Sequence, residues 1–178
     1  MPIRSQISDP DSQLKSLVTS SGHVYLVDDN EDILRHLTKT LQRCGLTVDA
    51  FKSTEEFVSE AALKDHAVVL LDMSLPGANG VKAFEAIREA GWLTPVIFIS
   101  GESAPIEIID AMKMGANDFL WKPFSTAVLL ESIKKALAAV RIQNEISTID
   151  QARNNLWQAM AEREQEICAL MLDGCGNS

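Results

Sequence analysis

A run of apolar residues that stops abruptly on an acid is the feature that most constrains the fold of this chain. Residues 67–71 are apolar at every position, and Asp72 follows them directly. A strand without polar alternation is covered on both faces, as happens in a parallel sheet flanked by helices. Residues 95–99 form a second all-apolar run, which ends as abruptly on Ser100. The two runs therefore predict a buried parallel sheet rather than a half-exposed antiparallel one.

Strand-like and helix-like segments alternate along the chain from His23 onward. The predicted strands cover residues 23–27, 47–51, 67–71, 95–99 and 117–121. Each is followed by a predicted helix, the first capped by Asp29 or Asn30, the second by Ser53 or Thr54, and a long final one opened by Ser125. Five strands alternating with five helices predict an α/β fold with a doubly wound parallel sheet, in the flavodoxin-like strand order 2-1-3-4-5, followed by an extended helical tail.

Composition excludes several classes of protein. The chain has no apolar run of about 18 residues, which predicts that nothing spans a membrane. The polar first 22 residues resemble no signal peptide, so we expect a cytoplasmic protein. Three cysteines without a CxxC pair predict neither a zinc site nor a disulfide framework. A net charge of −9 disfavours nucleic-acid binding by this stretch of chain.

Charged and hydroxyl side chains follow four of the five predicted strands. Asp28 and Asp29 follow the first, Asp72 the third, Ser100 the fourth and Lys122 the fifth. The carboxyl ends of parallel strands meet at one edge, where such sheets bind their ligands. Three clustered acids repel one another, and Mg²⁺ is their natural neutralising partner. One acid could then attack phosphorus and form an acyl phosphate, while the hydroxyl and the ammonium stabilise the transferred oxygens. Each of these residues taken alone is more often a helix cap, a turn or a loop residue, so the prediction depends on their coincidence.

The same positions carry a resemblance to a known family. Residues 23 to about 140 resemble a response-regulator receiver domain of the CheY-like superfamily. The matching segments are Val27-Asp28-Asp29-Asn30, Leu70-Leu71-Asp72-Met73-Ser74-Leu75-Pro76-Gly77 with Gly80, Phe98-Ile99-Ser100-Gly101, and Gly115-Ala116-Asn117-Asp118-Phe119-Leu120-Trp121-Lys122-Pro123-Phe124.

The resemblance implies a role for each site residue. Asp72 would be the phosphoacceptor for a sensor histidine kinase, and Lys122 would correspond to the family's invariant lysine. Asp29 would bind Mg²⁺ directly and Asp28 through water, with the backbone carbonyl of Ser74 as a further ligand. Ser100 and Phe119 would be the switch residues, and the peptide bond before Pro123 would be cis.

Departures from the family pattern are mild. Phe119 lacks the hydroxyl of a tyrosine, which excludes a tyrosine-type hydrogen bond in the active state. Ser74 and Glu102 occupy positions at which the family tunes dephosphorylation. No catalytic residue is lost. This argues against a degenerate receiver. The resemblance implies no enzymatic activity apart from Mg²⁺-dependent self-phosphorylation and autodephosphorylation of Asp72.

The sequence divides into four segments: an N-terminal extension (1–22), the receiver (23–140), a helical linker (141–159) and a closing segment (160–178). Beyond Arg141 the apolar residues alternate at spacings of four and three, with Arg153 interrupting the row; they are Ile142, Ile146, Ile149, Leu156 and Met160. Such spacing can pair helices into a coiled coil. A helix packed back on its own domain, or a frayed one, remains the alternative.

The closing segment resembles the opening of a LuxR-type helix-turn-helix domain. The matching residues are Arg163, Glu164, Glu166, Ile167, Leu170, Gly174 and Asn177, although Ala161 replaces the usual capping hydroxyl. The chain ends before any recognition helix, so DNA binding would need sequence that is absent here, and we expect a poorly ordered last turn. An ordinary amphipathic helix ending at Gly174 is the alternative.

Together these features predict a two-component response regulator, FixJ/NarL-like, that changes conformation or forms a homodimer on activation to control transcription. A haloacid-dehalogenase-type phosphatase is the enzymatic alternative, but Ser74 stands where that family has its second acid. A stand-alone receiver that docks to a partner is a third possibility. A dinucleotide-binding module lacks support because no GxGxxG follows the first strand.

Overall fold

The computed structural model of the chain describes residues 22–76, 80–101 and 105–174, with the backbone alone at residues 105, 160–162 and 165–174. Five strands and five helices alternate through these residues: β1 (His23–Val27), α1 (Glu31–Arg43), β2 (Thr47–Phe51), α2 (Thr54–Glu60), β3 (Ala67–Asp72), α3 (Gly80–Glu89), β4 (Val96–Ser100), α4 (Pro105–Lys113), β5 (Asp118–Trp121) and α5 (Thr126–Gly174).

The strands form one parallel sheet in the order β2-β1-β3-β4-β5, which confirms the predicted topology. β1, β3 and β4 are buried along their whole length, as their apolar sequences predict. Two strands extend one residue further than predicted. β3 includes Asp72, which pairs with Ile99, and β4 includes Ser100, which pairs with Trp121. The polar side chains are thus held by the sheet itself rather than by the loops that follow.

Local capping explains where the first helices begin. The Asn30 side chain accepts hydrogen bonds from the backbone N–H groups of Asp32 and Ile33, at 3.0 and 3.2 Å. Ser53 caps α2 in the same way, accepting from the N–H of Glu56. These bonds satisfy donors that have no partner within the helix. Of the two predicted candidates at each helix, Asn30 and Ser53 are the caps.

A hydrophobic core covers each face of the sheet. On one face α1 and α5 contribute buried residues such as Leu37 and Ile133. On the other face α2, α3 and α4 contribute residues such as Phe57, Phe84 and Ala111. The sheet is therefore fixed from both sides, and its carboxyl edge is a rigid support for side chains.

The chain separates into two compact units, residues 1–140 and 141–178. The described part of the second unit is helical to Gly174. Residues 1–21, Gly77, Glu102 and 175–178, on which several sequence predictions fall, lie outside the described residues. Within the described residues, no helix is both long and apolar enough to cross a membrane.

Candidate functional site

Four strands bring polar side chains to the carboxyl edge of the sheet. Asp28 follows β1, Asp72 ends β3, Ser100 ends β4 and Lys122 follows β5. Asp28, Asp72 and Ser100 are buried, whereas Asp29 is exposed. Buried polar groups at a strand end need partners, and the sheet places those partners beside them.

Lys122 joins the two buried carboxylates. Its Nζ donates to Asp28 Oδ2 at 2.9 Å and to Asp72 Oδ1 at 3.0 Å. The lysine side chain is 23% exposed, against 3% for Asp28 and 7% for Asp72. A charge-assisted hydrogen bond is stronger than a neutral one, and burial strengthens it further. The ammonium therefore compensates two carboxylates that would otherwise repel each other.

Burial and hydrogen bonding shift the pKa values of Asp72 and Lys122 in opposite directions. Burial raises the pKa of Asp72, and the charge of Asp28 adds to the rise; hydrogen bonds from Lys122 and from the Ser74 backbone offset part of it. Burial by itself would lower the pKa of Lys122, but its hydrogen bonds to Asp28 and Asp72 outweigh burial and raise it. Lys122 consequently remains an ammonium beside Asp72.

The three carboxylates form a candidate metal site. Each of Asp28, Asp29 and Asp72 offers an oxygen, and these oxygens all lie within 4.8 Å of one another. Hard oxygen donors in a small cluster are the ligands that Mg²⁺ prefers, and the exposed Asp29 leaves the cluster open to water and a phosphoryl oxygen. The donor set thus fits Mg²⁺.

Backbone hydrogen bonds hold the site residues in place. Asp28 Oδ1 accepts from the N–H of Asn30 at 2.9 Å, so the same turn caps α1 and orients the acid. Beyond Asp72, the N–H of Met73 donates to Ile99 O and the N–H of Gly80 donates to Met73 O, both at 2.9 Å. A Cβ at Gly80 would overlap Met73 Sδ and would lie 2.8 Å from Met73 Cα, so this close approach favours glycine.

Ser100 ends β4, and Phe119 lies on the neighbouring strand β5, where it pairs with Phe98. The backbone N–H of Lys122 donates to Ser100 O at 2.7 Å, which fixes the lysine relative to β4. Phe119 is half-buried, and its ring packs edge-on against Trp121 with 5.2 Å between centroids. The Lys122–Pro123 peptide bond is cis. Ser74 is exposed two residues after Asp72.

Three features near the site were not predicted from the sequence. Ser132 Oγ donates to Asp118 Oδ2 at 2.6 Å and joins α5 to β5. Trp121 is exposed beside Phe119, a pairing that strand alternation alone could have indicated. A groove of about 460 Å³ adjoins Lys122 and lies between α1 and the start of α5; its lining includes Ile33, His36, Leu37, Phe124 and Leu129.

Comparison with known proteins identifies the architecture. Residues 24–134 match the family model described as the response regulator receiver domain. The response regulator protein TodT of Pseudomonas putida is 28% identical over 162 residues, which cover 90% of this chain and 71% of TodT. The transcriptional regulatory protein FixJ of Rhizobium meliloti is 29% identical over 155 residues, covering 86% of this chain and 76% of FixJ. The chain in the low-resolution structure of the response regulator StyR is 26% identical, with a TM-score of 0.73, and the match covers 87% of this chain and 78% of StyR.

Proposed function

Because the chain belongs to the response regulator receiver family, we propose that Asp72 is its phosphoacceptor and that a sensor histidine kinase supplies the phosphoryl group. The observation that carries the proposal is the contact of Lys122 with both Asp28 and Asp72 at the strand ends. Such a contact holds a buried carboxylate beside a cation, where a phosphoryl group would need charge compensation.

In the proposed reaction a carboxylate oxygen of Asp72 attacks the phosphorus of a phosphohistidine. The new P–O bond forms as the P–N bond breaks, and the released imidazole takes up a proton. The product is an acyl phosphate on Asp72. Lys122 lies 3.0 Å from Asp72 Oδ1 and would stabilise the negative oxygens of the transferred group.

Asp28, Asp29 and Asp72 would hold Mg²⁺, with the Ser74 carbonyl as a further ligand. The ion supplies charge neutralisation for the phosphoryl oxygens when it is bound. Without a cation, the two acidic neighbours of Asp72 oppose the approach of a phosphate.

The proposed conformational response runs through Ser100 and Phe119. The phosphoryl group adds roughly −1.5 to −2 charge and three acceptor oxygens. The Ser100 hydroxyl would turn toward those oxygens, and the half-buried Phe119 ring would move into the space behind it, changing the environment of Trp121. Phosphorylation would thereby select a conformation that the receiver already samples.

The groove beside Lys122 is suited to binding the kinase. A phosphohistidine must reach Asp72, so its protein has to occupy the neighbouring surface. The groove combines apolar side chains such as Ile33 and Phe124 with the exposed His36. We expect His36→Glu to slow transfer from the kinase roughly tenfold while leaving labelling by a small phosphodonor unchanged, because charge in an apolar interface is costly. Lys39→Glu, on the same helix but outside the groove lining, is the control.

The output is proposed to be transcriptional and to involve a homodimer. The names of TodT and StyR describe response regulators, and that of FixJ describes a transcriptional regulatory protein. DNA binding would belong to a helix-turn-helix domain of which residues 160–178 are the opening. Receiver family membership favours this role over the phosphatase alternative.

Asp72→Asn tests the phosphoacceptor directly. We expect the purified variant to show no acid-stable, hydroxylamine-sensitive labelling by radioactive acetyl phosphate with Mg²⁺, whereas Asp65→Asn on an exposed loop labels like the wild type. Labelling of Asp72→Asn at the wild-type rate would refute the assignment.

A further inference from the structure

The second unit carries a row of exposed aliphatic side chains along its helix. Ile142, Ile146, Ile149 and Leu156 are 48% to 66% exposed. Single exposed aliphatic residues are ordinary on protein surfaces. These four are separated by four, three and seven residues, so they form one continuous stripe rather than a scatter.

The spacing of the stripe identifies the kind of surface that would cover it. In a heptad written abcdefg, Ile146 and Arg153 occupy a positions, and Ile142, Ile149 and Leu156 occupy d positions. A straight helix has 3.6 residues per turn, so a seven-residue repeat drifts by about 20° per heptad. The stripe runs parallel to the helix axis without this drift when the helix supercoils with another helix of the same repeat. A second copy of this chain offers that helix.

We propose that residues 142–160 pair with the same residues of a second copy as a parallel two-stranded coiled coil, and that Arg153 keeps this pairing weak. In such a pair each a residue faces its counterpart, so two Arg153 guanidinium groups would meet within the apolar seam. In the single helix Arg153 Nη2 instead lies 2.8 Å from Asp150 Oδ1.

Charges beside the seam weaken the pairing further. Glu145 occupies a g position and Asp150 the following e position, which face each other across a parallel dimer. Two acids placed opposite each other repel. The repulsion is screened by salt, so added salt should strengthen the dimer rather than weaken it.

The area of the stripe agrees with a marginal dimer. Burying roughly 100 Å² for each aliphatic side chain would remove about 800 Å² from water over the two helices. Specific interfaces bury at least about 1,200 Å². The helices therefore need a high local concentration, which association of the receivers would provide. This coupling, unlike the pairing itself, rests on the proposed function.

Replacing Arg153 tests the pairing without any phosphorylation. Sedimentation equilibrium of the full 178-residue chain should give Arg153→Leu a dimer dissociation constant at least tenfold lower than that of the wild type. Arg141→Leu makes the same substitution at a c position outside the seam and should behave as the wild type does. Equal dissociation constants for the two variants would overturn the proposal.

A second substitution locates the contact. In the Arg153→Leu background, Ile149→Asp should restore the monomer, whereas Thr148→Asp, its exposed neighbour at a c position, should not. Circular dichroism establishes that both remain helical. A dimer that is equally tight in both would show that Ile149 is not in the seam and would overturn the proposal.

Beryllofluoride with Mg²⁺ tests the coupling in the otherwise wild-type chain. The mimic should promote a dimer that Ile149→Asp weakens at least tenfold and Thr148→Asp leaves intact. If Ile149→Asp leaves the dissociation constant of the beryllofluoride-induced dimer unchanged, the coupling is overturned. If beryllofluoride changes the dimerisation of no variant while Arg153→Leu still dimerises, the coupling is overturned and the coiled coil survives. Labelling of Asp72 by acetyl phosphate then shows separately whether the phosphoacceptor proposal holds.

Discussion

Lys122 Nζ lies 3.0 Å from Asp72 Oδ1, so the fifth strand of the sheet supplies the cation that neutralises an acid on the third. The two residues are 50 positions apart in the chain. β4 lies between their strands in the sheet, and the backbone hydrogen bond from Lys122 N–H to Ser100 O ties the lysine to the end of β4. The geometry of the site therefore depends on the order of the strands.

Lys122→Met should tighten Mg²⁺ binding while slowing phosphorylation. The Lys122 ammonium contacts two of the three carboxylates that would hold Mg²⁺, so it repels the ion. Removing this positive charge should raise the affinity of the site for Mg²⁺ by roughly fivefold. Calorimetric titration with MgCl₂ measures the change. Lys135→Met, exposed on α5, is the matched control and should bind Mg²⁺ as the wild type does. Unchanged or weaker binding by Lys122→Met would contradict the proposed metal site.

Trp121 should report the conformational switch. Its indole is half exposed and packs on Phe119, so a movement of that ring should shift Trp121 fluorescence when beryllofluoride and Mg²⁺ are added. Trp121→Phe should abolish the change, whereas Trp157→Phe in the second unit should preserve it. A fluorescence change that persists in Trp121→Phe would show that the conformational change occurs near another tryptophan.

Gly80→Ala should destabilise the receiver by about 1–3 kcal/mol, because a new Cβ would collide with the backbone and side chain of Met73. Gly101→Ala serves as the control, since its Cβ would lie 3.8 Å from Lys122 Cβ, an ordinary contact distance. Urea denaturation of the two variants measures the difference. Equal urea midpoints for Gly80→Ala and Gly101→Ala would show that the segment after Asp72 accommodates the new methyl group without loss of stability.

Protonation of His23 should destabilise the receiver. Burial lowers the pKa of His23, with Lys64 adding to the effect and Asp49 opposing it. The unfolded chain therefore binds the proton first, near its ordinary pKa of 6.5, and stability falls as the pH drops below that value. The free energy of unfolding should thus decrease more between about pH 7.5 and 5.5 in the wild type than in His23→Gln.

His36→Gln, on the exposed surface of α1, provides the comparison for this pH profile. It should lose stability with falling pH as the wild type does. A His23→Gln profile that parallels the wild type would show that other groups cause the dependence.

Much of the fold could be predicted from local sequence because it follows from local physics. All-apolar runs such as 67–71 belong to strands covered on both faces, and β3 is buried throughout. Short side chains such as Asn30 and Ser53 begin helices by accepting backbone hydrogen bonds, and both do so. The convergence of Asp28, Asp72, Ser100 and Lys122 was predictable once the strands were taken as parallel.

The sequence by itself determined which segments form buried strands and which residues end them, since burial patterns and the ends of apolar runs are properties of consecutive residues. The strand order followed only from the fold class that the alternation of strands and helices favours. Only the tertiary structure decided that Lys122 contacts both Asp28 and Asp72, that Ser132 binds Asp118, and that a groove opens beside the lysine. These contacts depend on angstrom-scale packing between segments far apart in the chain, which no local pattern encodes.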